Sequence, residues 1–273
     1  MKTGFFTLLL LVVLMGCQDG KVEQVYQPRA LIAGEDFNSY AKEGDQPFTV
    51  LKLTEGEPIA TADGKEIPEV FTVKFRDTTV KIQSNAADEK TATDKFAVAQ
   101  FVNTQKTTLL VQIADATGLI APFYLVSLKN NQLEVVNLYR PSTGKQDVAV
   151  TKGMVKVGNS GYLINNDYFV TNVNAKVYPV KRQNPEERIQ GEFFIKSSDK
   201  QTLVFLMEDS FYEVHYPTGE TYTLPFPSNA PKTKSALYPW IQANFSWQKN
   251  NKGISFLKKN EDDDKIVDIS EFK

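Results

Sequence analysis

The chain has 273 residues, with 31 Lys and Arg against 33 Asp and Glu, 41% hydrophobic residues, 11% aromatic residues and one cysteine. This composition excludes a disordered polypeptide, because the apolar content can fill a core. The charges are scattered without a basic stripe, so nucleic acid is not an expected partner. A single cysteine also excludes an intramolecular disulfide, and a chain of this size can fold without one.

The first residues have the pattern of a secretory signal. Lys2 places a positive charge near the start, and residues 5–15 form an apolar run broken only by Thr7. This run is too short for a membrane-spanning helix, which needs roughly 20 residues. A charged start, a short apolar segment and a small residue before a cleavage point predict export from the cytoplasm.

The apolar run ends in Leu14-Met15-Gly16-Cys17, which contains the only cysteine. This sequence resembles the lipobox of bacterial lipoproteins. Leu14 occupies the apolar position and Gly16 the small position next to the cut, whereas Met15 departs from the usual middle residue. The resemblance is confined to residues 1–20 and says nothing about the domain that follows.

The lipobox resemblance implies a location for the protein. In that family residues 1–16 are a signal peptide that is removed, Cys17 receives a diacylglycerol on its sulfur, and its new amine receives an acyl chain such as palmitate. Gln18 stands where lipoproteins of the inner membrane carry Asp, which implies the outer membrane, with the periplasmic or surface face undetermined. Each buried methylene contributes about 0.8 kcal/mol, so several chains hold a protein on a bilayer.

The mature chain divides into a polar segment and a β-rich remainder. Residues 17–46 carry the breakers Pro28, Gly34 and Gly44, which predicts a lipidated N-terminus and tether with one helical turn at residues 37–42. Residues 47–273 are expected to form an all-β globular domain, with a subdivision near residue 90.

From Phe48 onward, apolar and polar residues alternate with period two, and turn-forming pairs such as Asn130-Asn131 and Asn165-Asn166 separate the runs. This pattern predicts half-buried antiparallel strands joined as hairpins. The predicted strands are residues 48–53, 70–75, 79–82, 96–101, 108–113, 123–128, 133–139, 162–164, 168–170, 203–207, 211–216, 245–247 and 254–257. Residues 235–243 predict a short helix.

The predicted fold class is therefore all-β, with antiparallel meander strands and few short helices. The later turns recur at intervals of about 40 residues, which is typical of a small β-propeller-like assembly of four-stranded blades. The segments that begin at Leu125 and Leu203 both read Leu-Val-x-Leu, turn, Glu-Val, which supports a repeat. A barrel or a sandwich remains the alternative, because any antiparallel meander has regular turns.

The sequence contains no set of residues that defines a catalytic or metal centre. His215 is the only histidine, so a zinc site or a Ser-His-Asp triad lacks the partners it needs. No catalytic residue, metal ligand or cofactor is predicted. Glu134 and Glu213 fall at matching places in the two related segments and indicate a repeated architecture. The many carboxylates leave a carboxylate-dependent glycan hydrolase of the envelope open as an alternative.

An aromatic, proline-rich passage near the C-terminus has the least ordinary composition. It contains Tyr222, Phe226, Tyr238, Trp240 and Trp247. Tyrosine and tryptophan are favoured at binding surfaces, because they bring large contact area with little rotamer entropy. The passage therefore predicts either a binding surface or a connection that packs its aromatic rings over one end of the β core.

We expect a membrane-anchored lipoprotein of the bacterial envelope, attached through Cys17, with a non-enzymatic binding or structural role. A protein or glycan partner fits this expectation. A periplasmic inhibitor or immunity-type binding protein belongs to the same class, and the glycan hydrolase is the enzymatic alternative.

Overall fold

A computed structural model of the chain describes residues 24–32, 34–38, 46–53, 70–83, 92–114, 122–143 and 152–260. In this part of the chain short strands dominate and one helix is present, which confirms the all-β class. The strands up to the middle of the chain are β1 (Val25–Tyr26), β2 (Arg29–Ala30), β3 (Phe48–Lys52), β4 (Phe71–Phe75), β5 (Thr78–Thr79), β6 (Lys81–Gln83), β7 (Ala92–Thr93), β8 (Phe96–Phe101), β9 (Thr108–Ile113), β10 (Phe123–Lys129) and β11 (Gln132–Leu138). The remaining elements are β12 (Met154–Val157), β13 (Gly161–Ile164), β14 (Tyr168–Thr171), β15 (Val177–Pro179), β16 (Glu192–Lys196), β17 (Thr202–Leu206), β18 (Ser210–His215), β19 (Glu220–Pro225), α1 (Lys234–Asn244), β20 (Phe245–Lys249) and β21 (Ser255–Lys259).

The predicted hairpins are present with antiparallel pairing. Two of them turn on paired asparagines: Asn130 and Asn131 have φ of 49° and 66°, and Asn165 and Asn166 have φ of 53° and 57°. Two successive residues at positive φ define the type I′ turn, whose twist matches that of the flanking strands, and asparagine tolerates this conformation. The predicted helix at residues 235–243 corresponds to α1.

The strands form a series of open sheets. The central sheet has the order β2-β11-β10-β9-β8-β4-β3, with β5 on β4, and a small sheet has the order β1-β6-β7. Two four-stranded antiparallel meanders follow, the first being β12-β13-β14-β15 and the second β16-β17-β18-β19. The hairpin β20-β21 ends the described chain. None of these sheets closes on itself in the described ranges, so the architecture there is one of stacked sheets rather than a barrel.

Side chains at alternate strand positions pack the sheets against one another in layers. Phe123 and Leu125 of β10 pack with Tyr168 and Val170 of the first meander, whereas Tyr124 on the opposite face of β10 packs toward the small sheet. Further along, Phe169 joins Phe205 and Tyr212 of the second meander in one cluster. Phe211 joins Leu237 of α1 and Leu257 of β21 in the next cluster. The order is therefore small sheet, central sheet, first meander, second meander, and finally α1 with the hairpin β20-β21.

The segment placed in the tether by the sequence analysis contributes strands to this stack. β1 pairs in parallel with β6, and β2 pairs in parallel with β11. Phe37 is buried in the cluster between the central sheet and the first meander. Residues 39–42 of the predicted helical turn, Cys17 and the preceding signal segment lie outside the described residues.

A buried ion pair fixes the link between the two meanders. Asp167, which follows the β13–β14 turn, accepts hydrogen bonds from Nε and Nη2 of Arg182 at 2.8 and 3.0 Å. Arg182 also donates to the carbonyls of Pro141, Pro185 and Arg140 at 2.9 to 3.1 Å. Because both charged groups are buried, this bidentate pair ties the incoming and outgoing connections of the first meander together.

Candidate functional site

A groove of about 600 Å³ runs along the free edge of β16, where the second meander meets α1 and the hairpin β20-β21. We call it the β16 groove. It is lined by Val157, Gly158, Phe193, Ile195, Lys196, Tyr238, Ile241, Gln242, Phe245, Trp247 and Leu257. Its walls are mainly aliphatic and aromatic side chains, and its size lies within the range of ligand-binding pockets.

The first strands of three successive units meet at this groove. Val157 ends β12, Phe193 belongs to β16, and Trp247 belongs to β20. β16 pairs with β17 on one side and has no strand on its other side among the described residues. The amide of Ser197 donates to the carbonyl of Thr202 at 2.9 Å, so the adjacent Lys196 falls at a position whose backbone groups face away from β17. The edge of β16 at the groove therefore offers unpaired main-chain hydrogen-bonding groups.

A β-bulge distributes the aromatic residues of β16 between two layers. The register with β17 shifts between Phe193 and Ile195, so Phe194 is the extra residue. Phe193 packs toward the first meander, whereas Phe194 and Ile195 both pack toward α1. Phe194 stacks on Phe211 with centroids 5.7 Å apart. The bulge thus keeps Phe193 and Ile195 at the groove while Phe194 anchors the strand to the layer below.

Helix α1 forms one wall and is held by packing rather than by its ends. Thr233 makes no side-chain cap, the first turn has no acidic residue, and Pro239 interrupts the helical hydrogen bonds. Leu237 and Ile241 are buried in the cluster beneath the helix, and Tyr238 stands on the outer side with 50% exposure. The tertiary contacts therefore place Tyr238 at the rim of the groove.

Lys196 is the charged side chain of the groove. Its Nζ donates to Oγ of Ser160 at 2.5 Å, and no carboxylate forms an ion pair with it in the described part of the chain. Gly158, at φ of 54°, makes room for it: a Cβ there would lie 3.3 Å from Nζ of Lys196. Burial and the nearby Lys200 lower the pKa of Lys196. An anionic ligand group would relieve both effects.

The structure separates the five aromatic residues predicted as a surface. Tyr238 and Trp247 line the groove. Trp240 packs on Phe245 at 5.0 Å, and Phe226 meets Phe211 edge-on at 4.7 Å, so both rings cover the second meander. Tyr222 lies apart on β19, with its ring 5.9 Å from that of Phe256. Two of the five thus contribute to the groove and two mainly to packing.

The lone histidine belongs to a polar cluster without the arrangement of a catalytic triad. Nδ1 of His215 lies 2.8 Å from the Thr218 hydroxyl, and Nε2 lies 3.1 Å from Oε1 of Gln201. The Ser255 hydroxyl donates to Asp199 at 2.9 Å and not to His215. Both ring nitrogens are engaged, and the serine is bonded to the acid instead of the base. The cluster therefore joins β18 to β21 and does not activate a nucleophile.

A second cleft, of about 680 Å³, carries several carboxylates. Glu192, Glu208 and Asp209 line it together with Lys234. Glu192 and Lys234 form an exposed ion pair. Glu213, whose pKa burial raises to about 8, lies elsewhere: it is fully buried and bonded to the amide of Leu257. The buried carboxyl of Glu213 is therefore not part of the open cleft.

Among the described residues, no helix is long and apolar enough to cross a membrane. The same ranges contain no group of three or more His, Cys, Asp or Glu side chains that could hold a metal ion. The fold and the groove define an all-β protein of stacked antiparallel meanders with an apolar groove at an open strand edge. No protein-family model, curated protein or solved structure matches the chain.

The main groove residues that sequence reasoning missed are those of β16. Phe193, Ile195 and Lys196 lie in the sequence Glu-Phe-Phe-Ile-Lys, whose consecutive apolar residues hide the period of two. The only local signal was an apolar run of strand length between polar residues, which does not distinguish a strand from a buried helical turn.

Proposed function

We propose that this protein is a lipid-anchored component of the bacterial envelope that binds an extended, acidic peptide segment of another protein at the β16 groove. The free main-chain edge of β16 beside an apolar groove is the observation that carries the proposal. Peptides that add a strand to a sheet edge gain affinity from backbone hydrogen bonds and specificity from alternate side chains. β16 offers both kinds of contact.

The charge of the groove indicates the chemistry of the partner. Lys196 is its one charged lining residue, and its ammonium has no carboxylate partner within the described ranges. A carboxylate on the bound segment would pair with it inside a largely apolar site, where such a hydrogen bond is worth more than in water. Phe193, Ile195 and Trp247 would take the apolar side chains of the same segment. We therefore assign an extended peptide with alternating apolar residues and at least one Glu or Asp.

The binding test uses a defined probe. The fluorescein-labelled peptide VTVEVTVE is titrated into the full chain in mild detergent, and binding is followed by anisotropy. Lys196→Ala should weaken binding by about 10-fold or more, and a peptide with Gln for Glu should lose this sensitivity. Lys74→Ala, which changes an exposed lysine of β4 in the central sheet, is the matched control and should bind as the parent does.

Two results would count against peptide binding. One is an affinity that is equal for the parent and Lys196→Ala proteins. The other is saturable binding of neutral chitotetraose, followed by the fluorescence of Trp247, with no binding of the peptide. The second outcome would assign the groove to a glycan, because sugars also stack on aromatic faces.

The lipid anchor is a separate part of the proposal and rests on the lipobox resemblance at Cys17. Cys17→Ala should move the protein from the membrane fraction to the soluble fraction, because it removes the acylated sulfur. Gln18→Ala is the control and should leave the protein in the membrane fraction. Unchanged detergent-phase partitioning of Cys17→Ala would refute the anchor without affecting the groove.

The enzymatic alternative, a glycan hydrolase, is favoured by one observation: Glu208 and Asp209 lie with Glu192 in one open cleft. Paired carboxylates are the chemistry such enzymes use. The test is release of reducing ends from purified envelope polysaccharide by the parent protein and by Glu208→Gln. Release that the substitution abolishes would establish the enzyme, and absence of release leaves binding as the function.

A further inference from the structure

A third cavity, of about 410 Å³, lies between the outer strands of the central sheet and the first meander, away from the β16 groove. It is lined by Pro28, Arg29, Ala30, Leu31, Asn137, Tyr139, Arg140, Tyr168 and Pro179. Proline, leucine and tyrosine side chains supply apolar walls, and two arginines, one asparagine and Tyr168 supply polar groups. We call it the Arg140 cavity.

The two arginines of the cavity differ in their bonding. Both terminal nitrogens of Arg29 are engaged: Nη2 donates to Glu35 at 2.5 Å and to Glu134 at 2.7 Å, and Nη1 donates to Glu35 at 3.0 Å. Hydrogen bonds from Arg29 and Lys129 outweigh the effect of burial on Glu35 and lower the pKa of this carboxyl to about 2. Arg29 therefore has its charge balanced inside the protein.

Arg140 is held in place but keeps donors available. Its Nη1 donates to the carbonyl of Val180 at 2.7 Å and lies 3.9 Å from Asp167, which is already bonded bidentately by Arg182. Nε and Nη2 of Arg140 have no acceptor among the described residues. The side chain is 28% exposed and lines the cavity. A fixed guanidinium with free N–H groups is the arrangement that binds carboxylates.

One further polar group of the cavity lacks a protein partner. The hydroxyl of Tyr168 makes no hydrogen bond within the described residues, although the residue is buried. Burial raises the pKa of Tyr168 to about 12, so its hydroxyl is a donor at neutral pH. The cavity thus presents donors from Arg140 and Tyr168.

We propose that the Arg140 cavity binds a small organic carboxylate. The carboxylate accepts hydrogen bonds from Arg140 and Tyr168, and the rest of the ligand packs against the proline, leucine and tyrosine side chains of the walls. A carboxylate large enough to fill the cavity is preferred over acetate, because it buries more apolar surface. Sugar acids and N-acylated amino acids both have this chemistry.

The test measures binding of D-glucuronate and of N-acetylalanine to the full chain by saturation-transfer NMR, with D-glucose and acetate as partial analogues. We expect both acids to bind more tightly than either analogue, by about 5-fold or more. Tyr168→Phe should weaken both by about 5-fold, and Arg140→Gln by about 10-fold or more. Tyr162→Phe, the same change in the adjacent β13, should have no effect.

Several outcomes would overturn the proposal. They are absence of binding for both acids at about 50 mM, equal binding of glucose and glucuronate, and unchanged affinity in Tyr168→Phe. Tyr168→Phe removes a hydroxyl without an internal partner, so it keeps the test decisive even where Arg140→Gln fails to fold. Lys196→Ala should leave acid binding intact; its loss there would assign the acids to the β16 groove instead. Binding of one acid alone supports the site and selects between the two sources of ligand.

Discussion

Replacement of Glu213 by Gln should remove the pH dependence that this residue gives to stability. Glu213 is 0% exposed, and its Oε2 accepts the amide of Leu257 at 2.7 Å, which joins β18 to β21. Oε1 has no partner among the described residues. Burial raises the pKa of the carboxyl from 4.5 to about 8, against smaller lowering effects of the Leu257 amide and Lys258. The neutral acid is therefore the form that suits the folded protein.

The sign and size of this change in the free energy of unfolding follow from the linkage between protonation and folding. The folded state keeps the proton that the unfolded state loses between pH 4.5 and about 8, so the stabilisation from this group is complete below pH 4.5 and is lost as the pH rises toward 8. Each pH unit of that interval corresponds to about 1.4 kcal/mol, which amounts to about 5 kcal/mol across it. Gln accepts the same amide and does not ionise. It should therefore be about 1 kcal/mol less stable near pH 5 and several kcal/mol more stable near pH 9.

The assay is urea unfolding of the full chain in mild detergent from about pH 5 to about pH 9, followed by tryptophan fluorescence. Trp240 and Trp247 pack against the cluster that includes Leu257, so they report on this layer. The matched control is Glu134→Gln, which removes a partly exposed ion pair with Arg29 and should cost about 0 to 1 kcal/mol. Parallel stability curves for the parent and the Glu213 variant would refute the reasoning.

Three further changes test other parts of the fold. Asp167→Asn should lower the free energy of unfolding by about 3 kcal/mol, because it leaves Arg182 buried without its carboxylate. A loss of less than about 1 kcal/mol in urea unfolding would contradict this. Gly161→Ala should prevent folding or cost about 3 kcal/mol or more, because its Cβ would lie 2.0 Å from a carbonyl oxygen of β14. Gly153→Ala is the control for thermal melting: its Cβ meets nothing within 4 Å, and it should cost about 1 kcal/mol. Burial lowers the pKa of His215, so protonation of this residue opposes folding below about pH 6.5. His215→Gln should therefore gain stability relative to the parent as the pH falls from about 7 to about 5 in urea unfolding, and a constant difference would show that this residue does not contribute.

The hairpins were predictable because two local signals agreed at each of them. Asn130-Asn131 and Asn165-Asn166 are residues that accept positive φ, and apolar residues alternate on both sides. β16 and β19 lacked this agreement. A bulge at Phe194 breaks the alternation in β16, and β19 is a largely exposed edge strand that ends at Pro225. Edge strands bury one side only, so tertiary contacts rather than local pattern determine them.

The N-terminal segment shows a second limit of local pattern. β1 and β2 are two residues long and pair in parallel with strands far along the chain. A strand of two residues is too short to show alternation in the sequence, so only its partner strand reveals it. Phe37 is likewise a single aromatic residue in a polar segment, yet it is buried between the central sheet and the first meander. The composition of this segment predicts a tether, because the few residues that make these contacts are surrounded by polar residues.

The candidate sites also contain some residues that have a local sequence signal and others that only tertiary contacts reveal. Tyr238 and Trp247 were identified from composition, since aromatic residues concentrate at binding surfaces. Lys196 and Arg140 could not be identified, because a charged residue becomes a binding group only when its neighbours leave donors unpaired. That property arises from the approach of β12 to β16 and of β11 to β15, and these strands are separated by long stretches of chain.

The two related segments show why a sequence repeat predicts backbone position better than chemistry. Glu134 and Glu213 both occupy the second strand of a hairpin, β11 and β18. Glu134 is partly exposed and pairs with Arg29 of β2, whereas Glu213 is covered by β21 and accepts a main-chain amide. The layer that packs on each hairpin therefore decides whether the carboxyl meets an arginine or a main-chain amide. A repeat of stacked sheets can thus carry one residue into an ion pair and its counterpart into a pH-sensitive contact, because each layer has a different neighbour.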